Sequence, residues 1–233
     1  MQNLSENPIE KGYQTLTDQI FYKIQSAIIC GELAAGSKIS EPELARVYGI
    51  SRGPLREAIH RLEGQKLVER TAHVGARVVS LSHQQLHELY QIRENLEGLA
   101  CRLAAQHIDK KQIITLRDIL KRHAEDDAFK AGKGYFLQEG EDDFHYCIIK
   151  TSGNKTLEKM LCDELYHLIR MYRIQFSKTP NRPHQAFNEH IRILDAIADG
   201  DAELAELLMR RHIAASYKNI ESNWIQAQGE KHV

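Results

Sequence analysis

The sequence predicts a mainly α protein in two parts: three short helices closed by a small hairpin, then a longer all-helical stretch. Three observations lead there. Apolar residues recur at spacings of three and four over most of the chain, two brief stretches between Leu67 and Ser80 read as strands, and beyond Ser80 the pattern is wholly helical. At 233 residues the chain is long for one helical core and comfortable for two small domains.

The first helix is expected from about Thr15 to Ile29, with Leu16, Ile20, Phe21, Ile24, Ile28 and Ile29 on its apolar stripe and Gly31 placed to end it. Ser40-Glu41-Pro42-Glu43 opens the second. Ser40 can accept from an amide of the first turn while Glu43 reaches back, and Pro42 is tolerated because its missing N–H has no partner there. That helix ends near Tyr48-Gly49. Ser51 caps a third, Arg52 to about Gln65, buried along Leu55, Ile59 and Leu62. Two short helices joined by a tight glycine turn make a helix-turn-helix. Residues 67–70 and 77–80 supply the strands of a wing whose tip holds His73 and Gly75.

After Ser80, two capping pairs, Ser82 with Gln85 and Asp109 with Gln112, start long amphipathic helices. Further helical stretches cover about 135–151, 155–177, 184–198 and 201–223, separated by turn signals at Gly153-Asn154, Thr179 to Pro183, and Asp199-Gly200. Six or so such helices make an all-α antiparallel bundle. The predicted division is a flexible N-terminus over 1–14, a winged helix-turn-helix over 15–80, a helical domain over 81–224 and a tail over 225–233.

Composition narrows the function classes. Hydrophobic content is 42% with 27% charged residues, and no apolar run approaches the ~18 residues of a membrane span. No export or transit signal is visible at the N-terminus, so a cytoplasmic location is expected. Cys30, Cys101, Cys147 and Cys162 stand singly, three of them in apolar helical stretches, and read as reduced core thiols. A net charge of −1 argues against a general nucleic-acid coat, but a sequence-specific binder needs positive charge only where it meets phosphate. Residues 51–77 supply that locally: Arg52, Arg56, Arg61, Lys66, Arg70 and Arg77 outnumber Glu57, Glu63 and Glu69.

Residues Ile39-Ser40-Glu41-Pro42-Glu43-Leu44-Ala45 and Ile50-Ser51-Arg52-Gly53-Pro54-Leu55-Arg56-Glu57-Ala58 resemble the GntR family. The helical part, with Arg93-x-x-x-Glu97, Phe144-His145, Ser152-Gly153-Asn154, Glu189-His190 and His212, resembles the ligand-binding FCD domain of the FadR-type branch. Together the resemblance spans about Leu16 to Ser216. It implies a ligand-responsive transcription regulator, more often a repressor, that binds palindromic double-stranded operator DNA as a homodimer and answers to a small carboxylate. Within the branch the chain looks most like regulators that accompany propionate and methylcitrate catabolism, which points to a tricarboxylate effector.

A recognition helix presents its first turns to the major-groove floor, where Arg52 and Arg56 can fork onto guanine O6 and N7. Ser40, Ser51 and the helix N-termini are expected to hold phosphates, with Arg46 as a further phosphate contact. Gly53 permits close backbone approach, and the wing around His73 and Gly75 is expected against the minor groove. Pro42 stands where some relatives carry a DNA-contacting arginine, which shifts base readout onto Arg52 and Arg56.

In the second part, Glu141 and His145 are four apart on one helical face, and His190 and His212 sit in two further helices. Three imidazoles and a carboxylate suit a divalent metal, with zinc ahead of nickel or manganese. The resembling branch forms a metal site at these positions, with aspartate where this chain has Glu141; Asp142 is the alternative carboxylate. Arg93 and Arg170 are the expected charge partners of an anionic effector, against the alternative that Arg93 simply pairs with Glu94 or Glu97. A metal-dependent hydrolase using the same histidines is the competing reading, but no His-Glu-x-x-His motif places a general base.

Overall fold

The computed structural model describes residues 15–71, 75–131, 139–177 and 179–229. Its contacts divide the chain into two compact units, Met1–Ser80 and Leu81–Val233.

In the first unit, helix α1 (Leu16–Ile29) is capped by Thr15, whose hydroxyl accepts from the amide of Asp18 at 3.1 Å. A two-residue strand β1 (Lys38–Ile39) leads into α2 (Glu41–Tyr48), α3 (Arg52–Gly64), β2 (Val68–Thr71) and β3 (Gly75–Val78). The strands form an antiparallel sheet in the order β1-β3-β2, with Lys38 opposite Arg77 and Thr71 opposite Gly75. The hairpin was expected at 67–70 and 77–80; it forms at 68–71 and 75–78, with Gly75, at φ of 96°, paired opposite Thr71. Strand β1 was not expected, since two residues carry no alternation to read.

Ser40 and Ser51 stand at the N-caps of α2 and α3 as predicted, but neither side chain makes a cap hydrogen bond. At α2 the reason is local: Pro42 removes one of the two amides such a cap accepts from. Gly49, left-handed at φ 65°, ends α2 and makes the tight turn into α3. The core beneath is Ile20, Phe21, Ile24 and Ile28 of α1 against Leu55, Ile59 and Leu62 of α3. Each such burial is worth about 1.5–3 kcal/mol. Arg61 closes one edge, its guanidinium 4.0 Å from the Phe21 ring centre and 2.7 Å from Asp18.

The second unit runs through α4 (His83–His107), α5 (Lys110–Glu125), a short α6 (Asp127–Lys130), a 3₁₀ turn (Gly140–Asp142) and α7 (Phe144–Thr151). Helix α8 (Lys155–Glu158) widens into a π-helical stretch over Lys159–Glu164 before α9 (Tyr166–Phe176), so the single helix expected over 155–177 is interrupted. Helices α10 (Arg182–Ala198) and α11 (Ala202–Gly229) complete it, and residues 225–229, expected as tail, continue α11. Both predicted capping boxes, Ser82 with Gln85 and Asp109 with Gln112, form. Helices α4 and α11 run antiparallel: His83 pairs with Glu221, Glu94 with Arg210 and Arg102 with Glu206. Gly98 lets them approach, since a Cβ there would meet Arg210 Cγ at 2.8 Å. Among the described residues, no helix is long and apolar enough to cross a membrane.

Candidate functional site

The helix-turn-helix presents its polar residues outward. Arg46 in the last turn of α2, and Ser51, Arg52, Gly53 and Arg56 at the start of α3, are exposed, while Ser40 is half-buried. Leu55, Ala58, Ile59 and Leu62 anchor the opposite face of α3, which fixes the direction in which Arg52 and Arg56 leave the surface. Arg56 is not a free cation: its Nε donates to Glu41 at 2.9 Å. Glu41 also accepts from Arg70 of β2 at 3.4 Å, and Arg70 donates to Glu63 at 2.8 Å. Gly75 begins β3, half-buried; His73 lies outside the described residues.

The second unit gathers His145 of α7, His190 of α10 and His212 of α11 in its interior. All three are buried, and each Nε2 lies 3.2 Å from the other two. Their opposite ring edges explain the arrangement. His145 Nδ1 stands 2.5 Å from a carboxylate oxygen of Glu97, and His212 Nδ1 stands 2.5 Å from one of Glu189. A carboxylate accepts only, so both Nδ1 atoms carry the proton and both Nε2 atoms turn lone pairs inward. His190 is oriented by its stack on Phe144, with ring centres 4.4 Å apart.

Behind the carboxylates stand arginines. Arg93 donates from Nε to Glu97 at 2.5 Å, and Arg182 grips Glu189 with two bonds of 2.9 and 2.8 Å. Two Arg-Glu-His relays thus converge on one point. A third buried pair, Arg173 with Asp143 at 3.0 Å, sits at the N-cap of α7, where Asp143 accepts from the His145 amide. Arg93 holds Glu97 well below the usual carboxylate range despite burial, and His212 with Arg182 bring Glu189 down to about 2. Burial pushes His190 far down and His212 to about 3, so both stay neutral and keep lone pairs for a ligand-accepting atom.

The donor set fits a divalent ion. Nitrogen ligands about 2.0–2.1 Å from a tetrahedral ion stand about 3.3–3.4 Å apart, close to the observed 3.2 Å. Inward lone pairs on neighbouring imidazoles repel one another, and a shared cation removes that cost. Among the described residues these three form the one group of ligand-type side chains close enough to hold an ion.

The expected carboxylates lie elsewhere. Glu141 and Asp142 are exposed on the 3₁₀ turn rather than on the helix of His145, because α7 starts only at Phe144; Asp142 pairs instead with Arg122. Arg93 is brought to the centre through Glu97, and its buried Nη1 has no hydrogen-bond partner among the described residues. Arg170 pairs with Glu139 at 3.5 Å; the arginine of α9 whose charge bears on His190 is Arg173. Glu189, Arg182, Arg173 and Asp143 were not singled out as site residues. For Glu189 the signal was its place beside His190; the others carry none that local spacing reveals.

The family described as "Bacterial regulatory proteins, gntR family" matches residues 16–78, and the FCD domain matches residues 88–215, which holds all three histidines. The chain belongs to the GntR family, with an FCD domain. This GntR regulator is 30% identical over 203 residues to the "Probable D-xylose utilization operon transcriptional repressor" of Paenarthrobacter nicotinovorans, covering 86% of this chain and 87% of that one. It is 31% identical over 185 residues to the "Nta operon transcriptional regulator" of Aminobacter aminovorans, covering 79% and 85%. Its fold is that of E. coli McbR/YncC, at a TM-score of 0.70 and 20% identity over 92% of this chain and all of that one. The protein is a DNA-binding transcription regulator, not an enzyme, and the hydrolase reading falls.

Proposed function

We propose that this GntR regulator is a repressor that binds a palindromic operator as a homodimer in the cytoplasm and responds to a small carboxylate through a metal-containing pocket in its FCD domain. The observation that carries the sensor part is the convergence of three buried Nε2 atoms, each 3.2 Å from the others, backed by Glu97 and Glu189. His145, His190 and His212 would hold the ion, zinc ahead of nickel or manganese. When bound, it supplies a Lewis-acidic anchor for an oxygen ligand.

Charge balance supports an anionic effector. Arg93, Arg173 and Arg182 are matched by Glu97, Asp143 and Glu189, so a divalent ion held by the three imidazoles would leave positive charge that a carboxylate neutralises. Arg93 Nη1 offers a buried donor to the same anion. Arg170 is proposed as a second charge partner at the outer end. Of this class, tricarboxylates such as citrate and methylcitrate are the first to try. On the DNA side, Arg52 and Arg56 read bases, Ser40, Arg46 and Ser51 hold phosphates, Gly53 permits close approach, and the wing with His73 and Gly75 lies on the minor groove.

Effector and operator are coupled reciprocally: an effector that releases the operator must bind the DNA-free state more tightly, and operator must weaken effector by the same factor. The test is titration of citrate and methylcitrate into a complex of metal-loaded protein with DNA from upstream of its own gene. Release of DNA supports the reading. Binding that no carboxylate changes, by protein shown to contain metal, removes the carboxylate sensor.

A further inference from the structure

Among the groups of the helix-turn-helix expected to meet DNA stands a partly buried carboxylate, Glu41, in contact with two arginines. Glu41, at the first position of α2, is only 17% exposed at its side chain, whereas its partner Arg56 is 65% exposed. Placing an acid among phosphate-facing groups costs affinity for every DNA sequence alike. A compensating role would offset that cost, and the atoms involved supply one.

Glu41 Oε2 takes the Nε–H of Arg56 at 2.9 Å, while Oε1 faces Arg70 at 3.4 Å. Arg70 in turn spends its own Nε on Glu63 at 2.8 Å. Two acids and two arginines, drawn from α2, α3 and β2, therefore form a neutral network tying the three elements together. Binding Arg56 through Nε has a specific consequence. The guanidinium is planar, so a bond at Nε restrains its orientation and leaves the Nη1/Nη2 edge, which makes no other hydrogen bond among the described residues. That edge is the fork that matches guanine O6 and N7. A long arginine side chain would otherwise lose its rotamer freedom on docking.

We propose that Glu41 is a positioning residue for sequence readout, holding Arg56 by Nε so that its terminal nitrogens are preset for a guanine in the major groove, with Arg70 balancing the carboxylate's charge. This rests on the reading of α3 as the helix that enters the groove. Glu41 then contributes discrimination between sequences without adding to general affinity, at most lowering it, the opposite of a phosphate contact.

The experiment is selection of binding sites from a random double-stranded library by the full-length wild type, Glu41→Gln, Arg56→Ala and the double variant, with melting temperatures alongside. The guanine read by Arg56 is the position whose preference disappears in Arg56→Ala. At that position Glu41→Gln is expected to lower the preference at least five-fold while affinity for random-sequence duplex stays equal or rises. In the double variant, Glu41→Gln is expected to add nothing at that position. A wild-type motif that Glu41→Gln reproduces with unchanged preference overturns the inference and leaves the recognition-helix reading standing. A wild type that selects no motif removes both. A readout independent of the variants' folding is the Arg56 Nε–H resonance of the free wild type: a slowly exchanging signal is expected, and rapid exchange with solvent overturns the preset geometry.

Discussion

Glu97 and His145, forty-eight residues apart on α4 and α7, stand 2.5 Å from each other, carboxylate oxygen to Nδ1. That contact decides the chemistry of the cluster, because it sets which nitrogen of His145 carries the proton and turns the other inward. Glu189 does the same for His212. A histidine so backed is a stronger metal ligand than a bare one.

Purified without a polyhistidine tag and without chelators, the protein is expected to carry near-stoichiometric divalent metal by mass spectrometry. Combining His190→Ala and His212→Ala should abolish it. Wild-type protein that stays metal-free even after zinc, nickel and manganese are added back would remove the metal from the proposed pocket.

Glu189→Gln keeps the shape but removes the negative charge opposite His212 Nδ1. Metal affinity, measured by competition with a chromogenic chelator, is expected to fall about 10–100-fold, as for other partners of ligating histidines. An unchanged affinity would mean that Glu189 serves only to hold Arg182.

Gly98→Ala tests the α4–α11 contact. Alanine is favoured over glycine in a helix by about 1 kcal/mol, yet here its Cβ would meet Arg210 Cγ at 2.8 Å and Glu206 Cγ at 3.2 Å. Overpacking of this kind costs about 1–3 kcal/mol, so urea unfolding should show net destabilisation of up to ~2 kcal/mol. A stabilised variant would show that Arg210 swings aside freely.

Arg52→Ala should cost about 1–3 kcal/mol of discrimination at one base pair. Arg46→Ala should instead weaken binding to all sequences alike and reduce the salt dependence of log K by about one ion. Binding isotherms at several salt concentrations separate the two roles; identical profiles for both variants would contradict the division between base and phosphate contacts.

His167 on α9 gives the pH prediction. Burial, then the charge of Arg170, holds its pKa down to about 4, and its Nδ1 is buried without a hydrogen-bond partner among the described residues. Well above pH 6.5 the residue is neutral in both folded and unfolded chains and contributes no pH dependence. Between 6.5 and 4 the unfolded chain takes up a proton that the folded one refuses, so stability falls as pH falls. From pH 7 to 5 the loss should be about 1–2 kcal/mol by denaturant unfolding, and His167→Leu should remove that share of the slope. An equal slope in the variant would assign the acid sensitivity elsewhere.

What the sequence determined by itself is what local spacing encodes. Most helices of both units, the glycine turn at Gly49, the capping boxes at Ser82 and Asp109 and the outward arginines of α3 follow from periodicity and end signals, whereas the short α6 and the late start of α7 at Phe144 do not. Even the three histidines were legible, through residues matched to a family. Features without a local pattern were not: the two-residue strand β1, the π-helical interruption at 159–164, and the 3₁₀ turn that leaves Glu141 in solvent.

The tertiary structure alone decided which charges meet. Arg93 could have been a free effector ligand or a structural cation, and it is joined to His145 through Glu97. Arg56 could have been an independent base contact, and it is held by a residue fifteen positions earlier. Spacing along a helix says which side chains share a face, whereas charge pairs across helices depend on how those faces pack. In a buried setting each ion must find its counter-ion, so packing, more than composition, selects the partner.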